Sequence, residues 1–137
     1  VSVMNLPADS TTDFDERYRV VSDPAMRRVE RLVIGCDYGA TSYTTRAQAD
    51  RLARLLRLGP GKMLLDVGSG AGWPGIYLGR STQCSVVLAD QPIEGLREAS
   101  RRMQHEGVRG GVVGGSGGSL PLQDHVFDAV TSSDALC

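Results

Sequence analysis

Met63-Leu64-Leu65-Asp66-Val67-Gly68-Ser69-Gly70-Ala71-Gly72-Trp73-Pro74-Gly75 is the stretch whose reading decides the fold. Leu64, Leu65 and Val67 form the apolar run of a short buried strand, with Asp66 near its end. Gly68, Gly70 and Gly72 then let the backbone turn sharply and approach a ligand without a Cβ in the way. Pro74 suits a first helical position, where its fixed φ fits and its missing N–H costs nothing. A glycine turn that feeds a helix N-terminus suits a polar or anionic ligand group.

The chain of 137 residues has room for one domain with a modest core. Its formal charge of -1 argues against a broad nucleic-acid footprint. Cys36, Cys84 and Cys137 lack CxxC or Cys/His spacing, so reduced thiols are expected and a zinc site or disulfide framework is not. No apolar run reaches the ~18–20 residues of a membrane span, and the expectation is a cytoplasmic protein. The chain begins at Val1 and stops at Cys137 directly after an apolar stretch. That reads as a piece of a longer protein, with a decayed gene product as the alternative.

Working outward, residues 1–21 read as a flexible polar lead, with a short helix near Phe14–Tyr18, and residues 22–137 as the domain. Ser22 or Asp23 caps a helix opened by Pro24, in which Met26, Val29, Leu32 and Val33 share one apolar face up to Gly35. Thr44 or Thr45 caps a second helix over roughly Arg46–Leu58, with Leu52, Leu55 and Leu56 as its stripe and its arginines in solvent. Ser85–Asp90 is a second, continuously apolar strand, followed by a helix over Ile93–His105. Val112-Val113 centres a third strand, Gly114–Ser119 a ligand-facing turn, and Val126–Thr131 a fourth strand. Strands alternating with helices in this way indicate a parallel α/β sheet.

Gly70-x-Gly72-x-x-Gly75 also satisfies the dinucleotide fingerprint, which leaves an NAD(P)-dependent oxidoreductase open. Asp66 weighs against it. A carboxylate there would repel a pyrophosphate, whereas it could orient a cationic ligand or brace the loop. Asp90, at the end of the second strand, could accept hydrogen bonds from ribose hydroxyls. The two carboxylates favour S-adenosylmethionine, which carries an ammonium and a sulfonium and no phosphate.

At these residues the chain resembles class I S-adenosylmethionine-dependent methyltransferases. Leu65–Gly72 is similar to their first motif, Val87-Leu88-Ala89-Asp90 to their acidic second motif, and Ser119–Leu122 with Phe127–Val130 to the passage into their fourth strand. Tyr43-Thr44-Thr45, Gln48-Ala49-Asp50 and Gly72–Gly75 resemble a small-molecule branch related to the quinone-biosynthesis type. The resemblance spans about residues 30–137. It implies a Rossmann-like parallel sheet in the order 3-2-1-4, cut short after the fourth strand. It also implies methyl transfer to a small-molecule acceptor; that no nucleic-acid partner is expected rests on the near-neutral charge. The expected cofactor set is Asp66, Gly68, Ser69, Gly70, Gly72, Asp90, Gln91, Ser116, Tyr43 and Asp134. Ser116 stands where such families often carry an adenine-binding Asp, and a hydroxyl binds more weakly there. Tyr38 and Tyr43 read either as covers over the ligand or as packing residues, and Trp73 as packing beside the loop. No residue can be assigned as a general base, and Ser132 and Ser133 lack a His partner for nucleophilic catalysis. A truncated, non-catalytic nucleoside-binding domain is a further reading.

Overall fold

The computed structural model describes residues 23–39 and 42–135; the helix expected near Phe14–Tyr18 lies outside them. In chain order the elements are α1 (Pro24–Val33), α2 (Arg46–Leu55), β1 (Met63–Val67), α3 (Gly75–Thr82), β2 (Ser85–Asp90), α4 (Ile93–Glu106), β3 (Gly110–Gly114) and β4 (Ala129–Thr131). The strands form one sheet in the order β3-β2-β1-β4. All three pairings are parallel, with Asp66 level with Leu88 on one side and Thr131 on the other. Because the strands are parallel, the glycine turn after β1, Asp90 and the turn after β3 all emerge at one edge.

Local chemistry sets the boundaries. Asp23 caps α1 by accepting from Ala25 N, and Thr45 and Gln48 form a capping box on α2. β4 is shorter than the expected Val126–Thr131. Asp128 holds its entry: its carboxylate accepts from Lys62 Nζ and Met63 N, each at 2.9 Å, and its own N–H donates to Met63 O.

The core lies between one sheet face and the helices, where Leu64, Val86 and Leu88 meet Ile76, Leu78, Ala99 and Met103. Two helix stripes differ from the sequence reading. Along α2 the inward positions are Ala49 and Ala53, joined by the C-cap Leu56 as expected, while Leu55 is exposed. In α1 the expected apolar face points outward and Glu30 points in. Glu30 Oε1 accepts from Tyr38 N at 3.0 Å and Oε2 from Gly39 N at 2.7 Å, so the carboxylate satisfies a loop that would otherwise bury bare N–H groups.

Candidate cofactor site

The glycine turn is held from beneath. Asp66, 1% exposed, accepts from Gly75 N at 3.0 Å through Oδ2 and from Thr131 Oγ1 at 2.9 Å through Oδ1. One carboxylate thus ties the start of α3 to β4. Of the two roles open to Asp66 in the sequence, this geometry is that of the brace. Burial pushes its carboxyl up to about 7, with hydrogen bonds from Thr131 and Gly75 pulling the other way and the charge of Asp90 adding to the rise.

Gly75 has to be glycine for this to work. A Cβ there would lie 2.6 Å from both Asp66 Oδ2 and Leu88 Cδ2. At Gly68, with φ +72°, a Cβ would fall 2.1 Å from Ala135 Cβ, because the segment after β4 lies directly over the turn.

Asp90 holds the turn from the side. Its Oδ2 accepts from Gly70 N at 2.7 Å and its Oδ1 from Gln91 N at 2.7 Å. The consequence for ligand choice is direct. A pyrophosphate on this turn would need the N–H of Gly70 and the N-terminus of α3, but the chain's own carboxylates occupy both. The turn is therefore not an open anion site, contrary to what its glycines alone suggest. Ser69 is buried, and its Oγ has no hydrogen-bond partner among the described residues. A buried hydroxyl without a partner is an unsatisfied group that this turn carries in its interior.

The opposite wall brings two expected site residues together. Asp134, in the left-handed region after β4, accepts through Oδ2 from Ser42 Oγ at 2.6 Å, Tyr43 N at 2.9 Å and Thr44 Oγ1 at 3.2 Å. The hydrogen bond from Ser42, the largest cause, holds its carboxyl below the usual range. Trp73 fixes the same segment from the glycine-turn side, its Nε1 donating to Thr44 O at 2.8 Å. The Tyr43 side chain projects into solvent beside these anchors. Tyr38 is a packing residue: its ring meets Trp73 at 5.2 Å, and its hydroxyl donates to Glu106 Oε2.

Gln91 and Ser116 are both exposed. Ser116 lies in a tight turn closed by Ser119 N donating to Ser116 O at 2.8 Å, and the turn passes near Val67 at the end of β1. Sequence reasoning missed Thr131, Ser42 and Glu30. The first had a signal, since alternation along β4 puts Thr131 on the same sheet face as Asp66. The other two depend on contacts between segments far apart in the chain.

Known proteins agree with this architecture. The profile of the family described as "Methyltransferase domain" matches residues 64–137. A botryococcene C-methyltransferase from Botryococcus braunii is 34% identical over 93 residues, which are 64% of this chain and 24% of that protein. Two solved structures are S-adenosylmethionine-dependent methyltransferases in complex with S-adenosylhomocysteine. The one from Geobacter sulfurreducens superposes with a TM-score of 0.57 at 26% identity over 66% of this chain and 37% of its own. The one from Thiobacillus denitrificans has a TM-score of 0.56 at 28% identity over 66% and 37%. The chain thus spans well under half the length of each of these relatives. With the family profile covering more than half of the chain and the sheet order in accord, the chain belongs to the methyltransferase domain family, of the class I, S-adenosylmethionine-dependent type.

Proposed function

We propose that this chain is the S-adenosylmethionine-binding part of an enzyme that transfers a methyl group to a small-molecule acceptor. The observation that carries the reading is the Asp90 carboxylate seated on Gly70 N at 2.7 Å. It closes the turn to phosphate, and each Asp90 oxygen, having accepted one backbone N–H, keeps capacity for a second donor. A ligand with hydroxyl donors and positive charge, and no phosphate, suits that surface.

In this reading Asp90 accepts from the ribose hydroxyls, and the backbone at Gly68, Ser69, Gly70 and Gly72 lines the floor. Gln91 and Ser116 stand on the nucleobase side. Asp134 adds an ionised carboxylate on the far side of the turn, and Tyr43 stands beside it. Asp66 acts through the turn as a positioning residue, fixing Gly75 and Thr131. When bound, S-adenosylmethionine supplies a methyl already activated on sulfonium, so the protein's part is to orient it and keep water out. The likeness to a botryococcene C-methyltransferase supports a small organic acceptor.

Thermal unfolding with added ligand tests this. S-adenosylhomocysteine should raise the midpoint progressively with concentration, as any ligand that favours the native state does. A midpoint that ignores S-adenosylhomocysteine and rises with NADH would refute the proposal.

A further inference from the structure

A closed ring of contacts joins the glycine turn to two segments from opposite ends of the chain. Trp73, in the turn, donates through Nε1 to Thr44 O at 2.8 Å. Residues 42–44 then converge on a single oxygen, Asp134 Oδ2. It accepts from Ser42 Oγ at 2.6 Å, Tyr43 N at 2.9 Å, Thr44 Oγ1 at 3.2 Å and Thr44 N at 3.3 Å. A bond from Thr44 N to Ser42 Oγ at 3.0 Å knits the segment to itself. Asp134 has a φ of +59°, a region that non-glycine residues populate sparsely. Ala135 completes the ring by returning to the turn, where its Cβ stands 2.1 Å from the position that a Cβ on Gly68 would take.

This ring sits where the ligand of the turn has to go. Ala135 leaves no room for a ligand atom on that face of Gly68. The Asp134 carboxylate, which the cofactor reading offers to a positively charged ligand, is engaged by the chain's own N–H and O–H groups. Ring and ligand therefore compete twice, for the floor at Gly68 and for Asp134.

We propose that residues 42–44 and 134–135 form an autoinhibitory strap over the glycine turn, latched at Asp134, and that S-adenosylmethionine enters only when the latch opens. The proposal rests on the assignment of the turn to that cofactor and adds how access to it is controlled. Only the open fraction of molecules binds, so the apparent affinity is reduced by that fraction.

The double variant Ser42→Ala/Thr44→Val tests it. It removes two latch donors and leaves Asp134, the Tyr43 amide and the Thr44 carbonyl in place. Both side chains are half-buried in a loop, so circular dichroism should show an unchanged fold. In calorimetry the double variant should bind S-adenosylhomocysteine about tenfold more tightly than the wild type, because losing two hydrogen bonds raises the open fraction. Side chains that only shaped or contacted the ligand site would weaken binding when removed. Hydrogen exchange without added ligand reads the latch itself. The Tyr43 amide and the Trp73 indole N–H should exchange through one shared opening, made more frequent in the variant by the same factor of about ten. Unchanged or weaker binding by the variant overturns the proposal, as do Tyr43 and Trp73 protons that open independently. No binding by either protein refutes the cofactor assignment instead, and the exchange result then decides by itself whether the latch exists.

Discussion

Two glycine-rich turns leave the same edge of the sheet, one after β1 and one after β3, and they are built in opposite ways. From Ser69 through Gly79 every residue of the first is buried. Its amides end on Asp66, Asp90 and the carbonyl of Ala89. The second, Gly114–Ser119, is mostly exposed and closes mainly on itself through Ser116 and Ser119. Glycine content is similar in both. The difference is the acceptors beneath: two strand-end carboxylates under one turn, and none under the other. A glycine turn becomes a rigid floor only when buried acceptors hold its N–H groups.

That contrast can be broken most forcefully at Asp66. Asp66→Ala leaves Gly75 N and the Thr131 hydroxyl without their acceptor, so urea unfolding should show a loss of roughly 2–4 kcal/mol. Gly75→Ala keeps the carboxylate but drives a methyl into it and into Leu88. A loss of about 1–3 kcal/mol is expected, measured the same way.

The effect of pH sharpens the comparison further. The folded carboxyl of Asp66 sits at about 7 against an ordinary 3.8, so the folded state holds this proton more tightly than the unfolded chain. The stabilisation from this group is complete below about pH 4 and lost as pH rises through about 7. Stability measured from pH 4 to 8 should therefore decline more in the wild type than in Asp66→Asn. A wild type that instead gains stability relative to the variant over that range would contradict the buried environment. The smallest effect belongs to the other turn. Ser116→Asp should leave stability within about 0.5 kcal/mol and strengthen S-adenosylhomocysteine binding several-fold.

Most of the fold was legible because its signals are local. Asp23-Pro24, Thr45 with Gln48, and the apolar run of β2 each carry their own start or stop, and the element boundaries follow them closely. The sheet order came with the family resemblance, and the structure has it. What the residues could not disclose is set at a distance. Asp66 shares Thr131 across strands, Asp134 gathers Ser42 to Thr44 from the other end of the chain, and Glu30 reverses α1 to satisfy Tyr38 and Gly39. In α1 a polar partner overrides the local pattern, so hydrophobic periodicity misassigned its face; in α2 the same periodicity placed Leu56 inward, as the structure has it, but also Leu55, which is exposed.

If the chain's own carboxylates make the turn a site for a phosphate-free nucleoside cofactor, the choice of ligand reveals it. Calorimetric titration of the wild type and of Asp90→Ala with S-adenosylhomocysteine and with NADH tests it most directly. The expected result is that the wild type binds S-adenosylhomocysteine and not NADH, and that Asp90→Ala loses at least about 1.4 kcal/mol of that binding, a factor of ten. Binding of NADH to the wild type, or S-adenosylhomocysteine affinity untouched by Asp90→Ala, would contradict it.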